Sequence, residues 1–67
     1  MAVVKVIEII AESSEGWDAA AKEAVKEAAK TLSGIQSIYI ENMQGIVEGD
    51  KIVKYRVDAK VSFLVQD

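Results

Sequence analysis

Residues 52–65 read IVKYRVDAKVSFLV, and their alternation decides the fold. Val53, Tyr55, Val57, Ala59, Val61, Phe63 and Val65 share one parity, whereas Lys54, Arg56, Asp58, Lys60, Ser62, Leu64 and Gln66 share the other. Successive side chains of a strand point to opposite faces, so this stretch is a strand with one dry face and one wet or ligand-facing one. It is about twice the usual strand length, which suits a strand reaching beyond its own subunit.

Working back from it, Glu48-Gly49-Asp50 reads as a tight hairpin turn, preceded by a strand over 35–47. Strict alternation places Gln36, Ile38, Ile40 and Asn42 on one of its faces and Ile35, Ser37, Tyr39, Glu41 and Met43 on the other. Gly45 marks a bulge or sharp bend. If Ile38 and Ile40 share a side with Val57 and Val61, then Ser37, Tyr39, Glu41, Arg56, Asp58 and Lys60 share the opposite one. Such a face serves as solvent surface, as an intersubunit ion-pair lattice or as a ligand wall.

The chain opens with a strand over 2–10, in which only Lys5 and Glu8 interrupt β-branched residues. Its two faces are almost equally apolar, as in a strand buried on both sides. A single helix covers one face, so the other asks for a partner subunit. Trp17, Ala20, Ala21, Ala24, Val25, Ala28 and Leu32 fall on one stripe of an amphipathic helix. Lys22, Glu23, Lys26, Glu27 and Lys30 lie opposite, and Asp18 and Lys22 are spaced for an i, i+4 pair. Ser13 or Ser14 is the expected N-cap, Glu15 and Asp18 suit the first turn, and Ser33-Gly34 is the expected stop. The fold class is therefore α+β, in the order βαββ: a three-stranded antiparallel sheet partly wrapped around one amphipathic helix, as one domain over residues 1–67. Periodicity leaves the neighbour order of the first strand open.

A chain of 67 residues buries only about 60% of its unfolded surface, and small domains compensate with disulfides, metals or oligomerisation. With no Cys and no His, disulfides and thiolate or imidazole zinc sites are excluded, and a homo-oligomer is the expected staple. Hydrophobic residues make up 51% of the chain, yet no apolar run approaches the roughly 20 residues of a membrane span. No secretion signal opens the sequence, so the cytoplasm is the expected compartment and no membrane partner is implied. Net charge is −3 with the basic residues scattered, which argues against a nucleic-acid partner.

The commonest nucleophile–base pairs need His or Cys, and neither a dinucleotide fingerprint, a P-loop nor an EF-hand loop is present. Glu8 with Glu12 and Glu41 with Glu48 read as solvated carboxylate pairs. The chain is accordingly expected not to be an enzyme. Glu12, Ser13, Ser14 and Glu15, clustered ahead of the helix, could supply oxygen ligands to calcium; simple N-capping is the plainer reading.

VKVIEII at 4–10, SEGWDAAAKEAVKEAAKTL at 14–32 and YRVDAKVSF at 55–63 together resemble the dodecin family over nearly the whole chain. That resemblance implies a small βαββ protein assembled as a hollow dodecamer. The best-known members store or buffer flavins (FMN, FAD or riboflavin), bound pairwise between subunits. They stack the flavin on a tryptophan early in the second strand and hydrogen-bond it through a glutamine in the third; those positions are Ser37 and Arg56 here. Ring stacking contributes about 1–3 kcal/mol, so Ser37 should weaken flavin by roughly one to two orders of magnitude. Tyr39, on the same side as Ser37, is the aromatic that could replace the missing ring. A branch of the family carries Trp at the position of Trp17, and one of its members is described as calcium-binding; the chain looks closer to that branch. Two readings stand: a shell for a small planar ligand, with Ser37, Tyr39 and Arg56 at its site, and a shell that binds calcium or no ligand.

Overall fold

A computed structural model describes residues 2–65. Four elements succeed one another: β1 (Val4–Ser13), α1 (Trp17–Ala29), β2 (Ile35–Glu48) and β3 (Lys51–Leu64). They form one antiparallel sheet in the order β1-β3-β2, which settles the neighbour order that periodicity leaves open. The strand read first is the central one, and both others hydrogen-bond to it.

Register fixes the faces. Ile7, Ile9 and Ala11 of β1 lie opposite Val61, Ala59 and Val57, while Ile38 and Ile40 of β2 lie opposite Val61 and Ala59. On this dry side α1 lays down Ala20, Ala24 and Ala28, and these three with Val57, Ala59 and Val61 are the buried core. An alanine stripe brings the helix axis close to the sheet but encloses little apolar volume, so a core of this size gives only marginal stability. At the head of α1 the Trp17 ring stands edge-on to Tyr55 at 4.7 Å between centroids, and its indole N–H donates to the Gln44 carbonyl at 2.9 Å.

Strict alternation fails in β2. Register shifts between Ile35 and Ser37 and between Ile40 and Asn42 each insert an extra residue, Gln36 and Glu41. A bulge reverses the parity of the residues beyond it. Ile35 therefore pairs with Phe63 and Met43 with Val57, both on helix-side positions, and Asn42 pairs with Asp58 on the other side. The expected faces of Ile35, Asn42 and Met43 are thus corrected. Gly45 is not itself bulged but sits in register with Tyr55; a Cβ there would meet the Ile52 side chain at 3.3 Å.

The helix ends also differ from expectation. Gly16 occupies the N-cap with no side-chain cap, because β1 continues to Ser13 through pairing with Tyr55. The Ser13 hydroxyl instead accepts from the Glu15 amide at 3.0 Å, closing the turn ahead of the helix. Regular helix stops at Ala29, and Thr31 and Leu32 both donate to the Ala28 carbonyl before the chain enters β2. The Asp18–Lys22 pair is not formed; Lys30 and Glu27 pair at 2.8 Å.

One face of β1 is bare within the chain, with Val6 55% and Ile10 64% exposed, so burial on both sides is not achieved by a single copy. Beyond the Ser13–Tyr55 pair, β2 and β3 continue alone as a two-stranded arm to the turn at Gly49-Asp50, where Gly49 has φ 64°, a conformation that favours glycine. The molecule is consequently elongated, 51 × 19 × 13 Å.

Candidate functional site

The sheet face turned away from α1 is organised in cross-strand rows. Glu12, Arg56 and Gln44 make one row, Ile10, Asp58 and Asn42 the next, Glu8, Lys60 and Tyr39 the third, and Val6, Ser62 and Ser37 the fourth. Side chains directly opposite on neighbouring strands lie about 4.5–5.5 Å apart, so each row is a contact set.

In the first row Arg56 Nε donates to Glu12 Oε1 at 2.8 Å, and Nη2 reaches the same oxygen. Arg56 Nη1 lies 3.5 Å from Gln44 Oε1, and Lys54 Nζ is 3.8 Å from Glu12 Oε2. The hydrogen bond from Arg56, reinforced by its charge, holds the Glu12 carboxyl below its ordinary pKa. In the fourth row the hydroxyls of Ser37 and Ser62 are 2.5 Å apart.

Between these lies a concentration of carboxylates. Glu8, Glu41 and Asp58 each offer an oxygen, and the three oxygens lie within 4.8 Å of one another. Glu41 is the extra residue of the second bulge and keeps the side that alternation gives it, and Lys60 Nζ pairs with its carboxylate at 2.8 Å. Asp58 Oδ1 is buried without a hydrogen-bond donor. A hydrogen bond with Asp58 and the charge of Asp58, ahead of desolvation, raise the Glu8 pKa. Lys60 is raised in turn, first by its hydrogen bond to Glu41. Three acids around one ammonium leave the group short of positive charge.

Oxygens that share one cation can be no further apart than twice the metal–oxygen distance, about 5 Å for calcium and about 4 Å for magnesium. The Glu8, Glu41 and Asp58 oxygens, all within 4.8 Å of one another, are close enough to share one calcium ion. Reading residue by residue misses this trio, because its members come from three strands whose neighbour order periodicity leaves open; the sequence signal is the acidic residue on the wet parity of each strand.

The sequence-predicted residues fall elsewhere. Ser37 and Tyr39 lie together near the start of β2, with Tyr39 67% exposed. Arg56 stands six residues along β3 from Ser62, the partner of Ser37, hence about 20 Å away. One chain does not bring Ser37 and Arg56 together: Ser37 is engaged by Ser62 and Arg56 by Glu12, so a flavin touching both positions would have to bridge two copies. Glu12, Ser13 and Glu15 do line one hollow against α1, faced by Lys22 and Lys26, whereas Ser14 is not part of its wall. The Glu12 carboxylate is committed to Arg56, and the two lysines already supply that hollow with positive charge.

Known proteins share this architecture. The Dodecin family model matches residues 3–66. The calcium dodecin of Mycobacterium tuberculosis is 35% identical over 63 residues, 94% of this chain and 89% of that protein. Its crystal structure, described as that of a calcium-chelating antigen with a novel calcium-binding site, superposes with a TM-score of 0.83 at 33% identity, covering 96% of this chain and 91% of that one. A single-site variant of the Thermus thermophilus dodecin gives a TM-score of 0.95 at 27% identity over the whole of both chains.

Proposed function

This chain belongs to the dodecin family, and from that membership we propose that it is a non-catalytic, homo-oligomeric binding protein whose ligand is calcium. The observation that carries the proposal is the convergence of Glu8, Glu41 and Asp58 within 4.8 Å, with one Asp58 oxygen buried and undonated. A relative that shares 35% of its residues is named for calcium, which supports the same ligand class. Calcium takes six to eight oxygens, so three carboxylates would hold it with water completing the shell. These side chains would bind and orient the ion; Lys60 would leave Glu41 as it enters.

Assembly is part of the proposal. Val6, Ile10, Met43 and Val47 are each more than half exposed in the single chain, and a two-stranded arm alone is marginal in water. Copies of this chain are the covering these surfaces fit, and the family resemblance points to twelve. A planar ligand of the flavin type is a second reading, favoured by the exposed Tyr39 ring on the same face.

Calorimetric titration of the purified assembly with calcium chloride and, separately, with FMN tests both. Calcium binding that Asp58→Asn abolishes, with assembly unchanged, is the expected result. Binding that survives Asp58→Asn would remove the site, and FMN binding abolished by Tyr39→Ala would favour the planar ligand.

A further inference from the structure

We propose that the hollow between the start of β1, the end of α1 and the end of β3 is a binding site for a small amphipathic carboxylate, whose head group the Lys5 ammonium receives. The hollow measures about 310 Å³, at the small end of the range for ligand pockets. Leu32, Phe63 and Leu64 give it an apolar wall, and Lys5, Thr31 and Ser33 are its polar groups. It is separate from the carboxylate trio: Lys5 pairs with Phe63 on the helix side of the sheet, whereas Glu8, Glu41 and Asp58 converge on the other side.

Lys5 points to the ligand. In β1 it shares the helix-side parity with Ile7, Ile9 and Ala11, so an ammonium stands where the strand otherwise presents apolar residues. Such departures from local pattern concentrate at functional sites. Among the described residues Lys5 forms no ion pair, and the hydroxyls of Thr31 and Ser33 form no hydrogen bond. Lys30, next to Thr31 in the chain, is already committed to Glu27 at 2.8 Å. One ammonium matches one negative charge, which favours a carboxylate over a phosphate dianion. The carboxylate head takes a charge-assisted hydrogen bond from Lys5 Nζ, and its hydrocarbon body covers the wall at Leu32 and Phe63. A neutral hydrocarbon would leave the ammonium unpaired, and a wholly polar anion would leave the wall wet.

Calorimetric titration of the purified protein with sodium octanoate and, separately, with octan-1-ol reads the site, and far-UV circular dichroism confirms that each variant is folded. Wild type should bind octanoate and prefer it to the alcohol by about tenfold or more, the difference expected of a hydrogen bond between charged groups. Lys5→Met should erase that preference, and Lys5→Arg should keep it, a rescue that a merely structural effect would not give. A wild type that takes up no octanoate, as when another copy fills the hollow, or that binds acid and alcohol alike, overturns the site. A Lys5→Met variant that keeps the preference also overturns it, because the carboxylate would then sit elsewhere.

Discussion

Trp17 is the point at which the helix grips the long hairpin, and replacing it tests how the arm is held. Trp17→Phe keeps a ring against Tyr55 but removes the N–H that donates to the Gln44 carbonyl at 2.9 Å. A net intramolecular hydrogen bond contributes about 0.5–1.5 kcal/mol, so this variant should lose about 1 kcal/mol. Trp17→Ala also removes the edge-to-face pair, about 0.5–1.5 kcal/mol, together with the packing of the ring. Truncating a large aromatic in a core costs about 3–5 kcal/mol, and half-burial of Trp17 puts the loss near the lower end of that range. Urea denaturation followed by far-UV circular dichroism, at one fixed protein concentration because assembly contributes to stability, measures both losses. The order should be wild type, then Phe, then Ala. A Trp17→Ala variant within about 0.5 kcal/mol of wild type, the ordinary scatter of surface substitutions, would refute the claim that this residue anchors the arm.

Removing the ammonium that competes for the carboxylates, by Lys60→Gln, should tighten calcium binding in the same calorimetric titration; unchanged or weaker binding would show that Lys60 is not displaced. The Glu8 pKa is raised in the folded protein, so its contribution to stability is fully present below the ordinary glutamate value and is lost as pH rises through the raised one. Glu8→Gln should therefore flatten the loss of thermal stability as pH rises from the ordinary value to the raised one. Calcium should protect wild type most where Glu8 is ionised, and equal protection in acid would contradict this. Ala24 is fully buried between helix and sheet, so Ala24→Leu should destabilise by about 1–3 kcal/mol in urea denaturation, and a neutral outcome would mean the helix can ride outward.

The element order, the hairpin turn at Gly49 and the alanine stripe were legible because each depends on local pattern: alternation, turn chemistry and helical spacing. The resemblance in the VKVIEII, SEGWDAAAKEAVKEAAKTL and YRVDAKVSF stretches likewise pointed to the family from residues alone. Legibility failed where a residue's role depends on pairing. Ile35, Asn42 and Met43 change face because Gln36 and Glu41 are inserted in β2, and nothing in a stretch of β-branched and polar residues reports a bulge. Ser13 looks like a cap until its pairing with Tyr55 keeps it in the strand. The Glu8–Glu41–Asp58 trio needs β1, β2 and β3 together, so it emerges only once β3 is known to lie between the others.

That central position of the last strand also governs when the sheet can exist. Among the described residues neither β1 nor β2 has a ladder partner other than β3, so a chain emerging from the ribosome can form its helix but not this sheet until residues 51–64 are out. The β2–β3 hairpin can then close locally, whereas β1 must join over separations as long as that from Val4 to Leu64. Late non-local closure slows folding, and it leaves the apolar β1 waiting as an unpaired strand while neighbouring chains emerge. A circular permutant that linked the natural termini and opened the chain at the Gly49 turn would place β3 first and shorten its path to β1, making order of synthesis, rather than final stability, the property that changes.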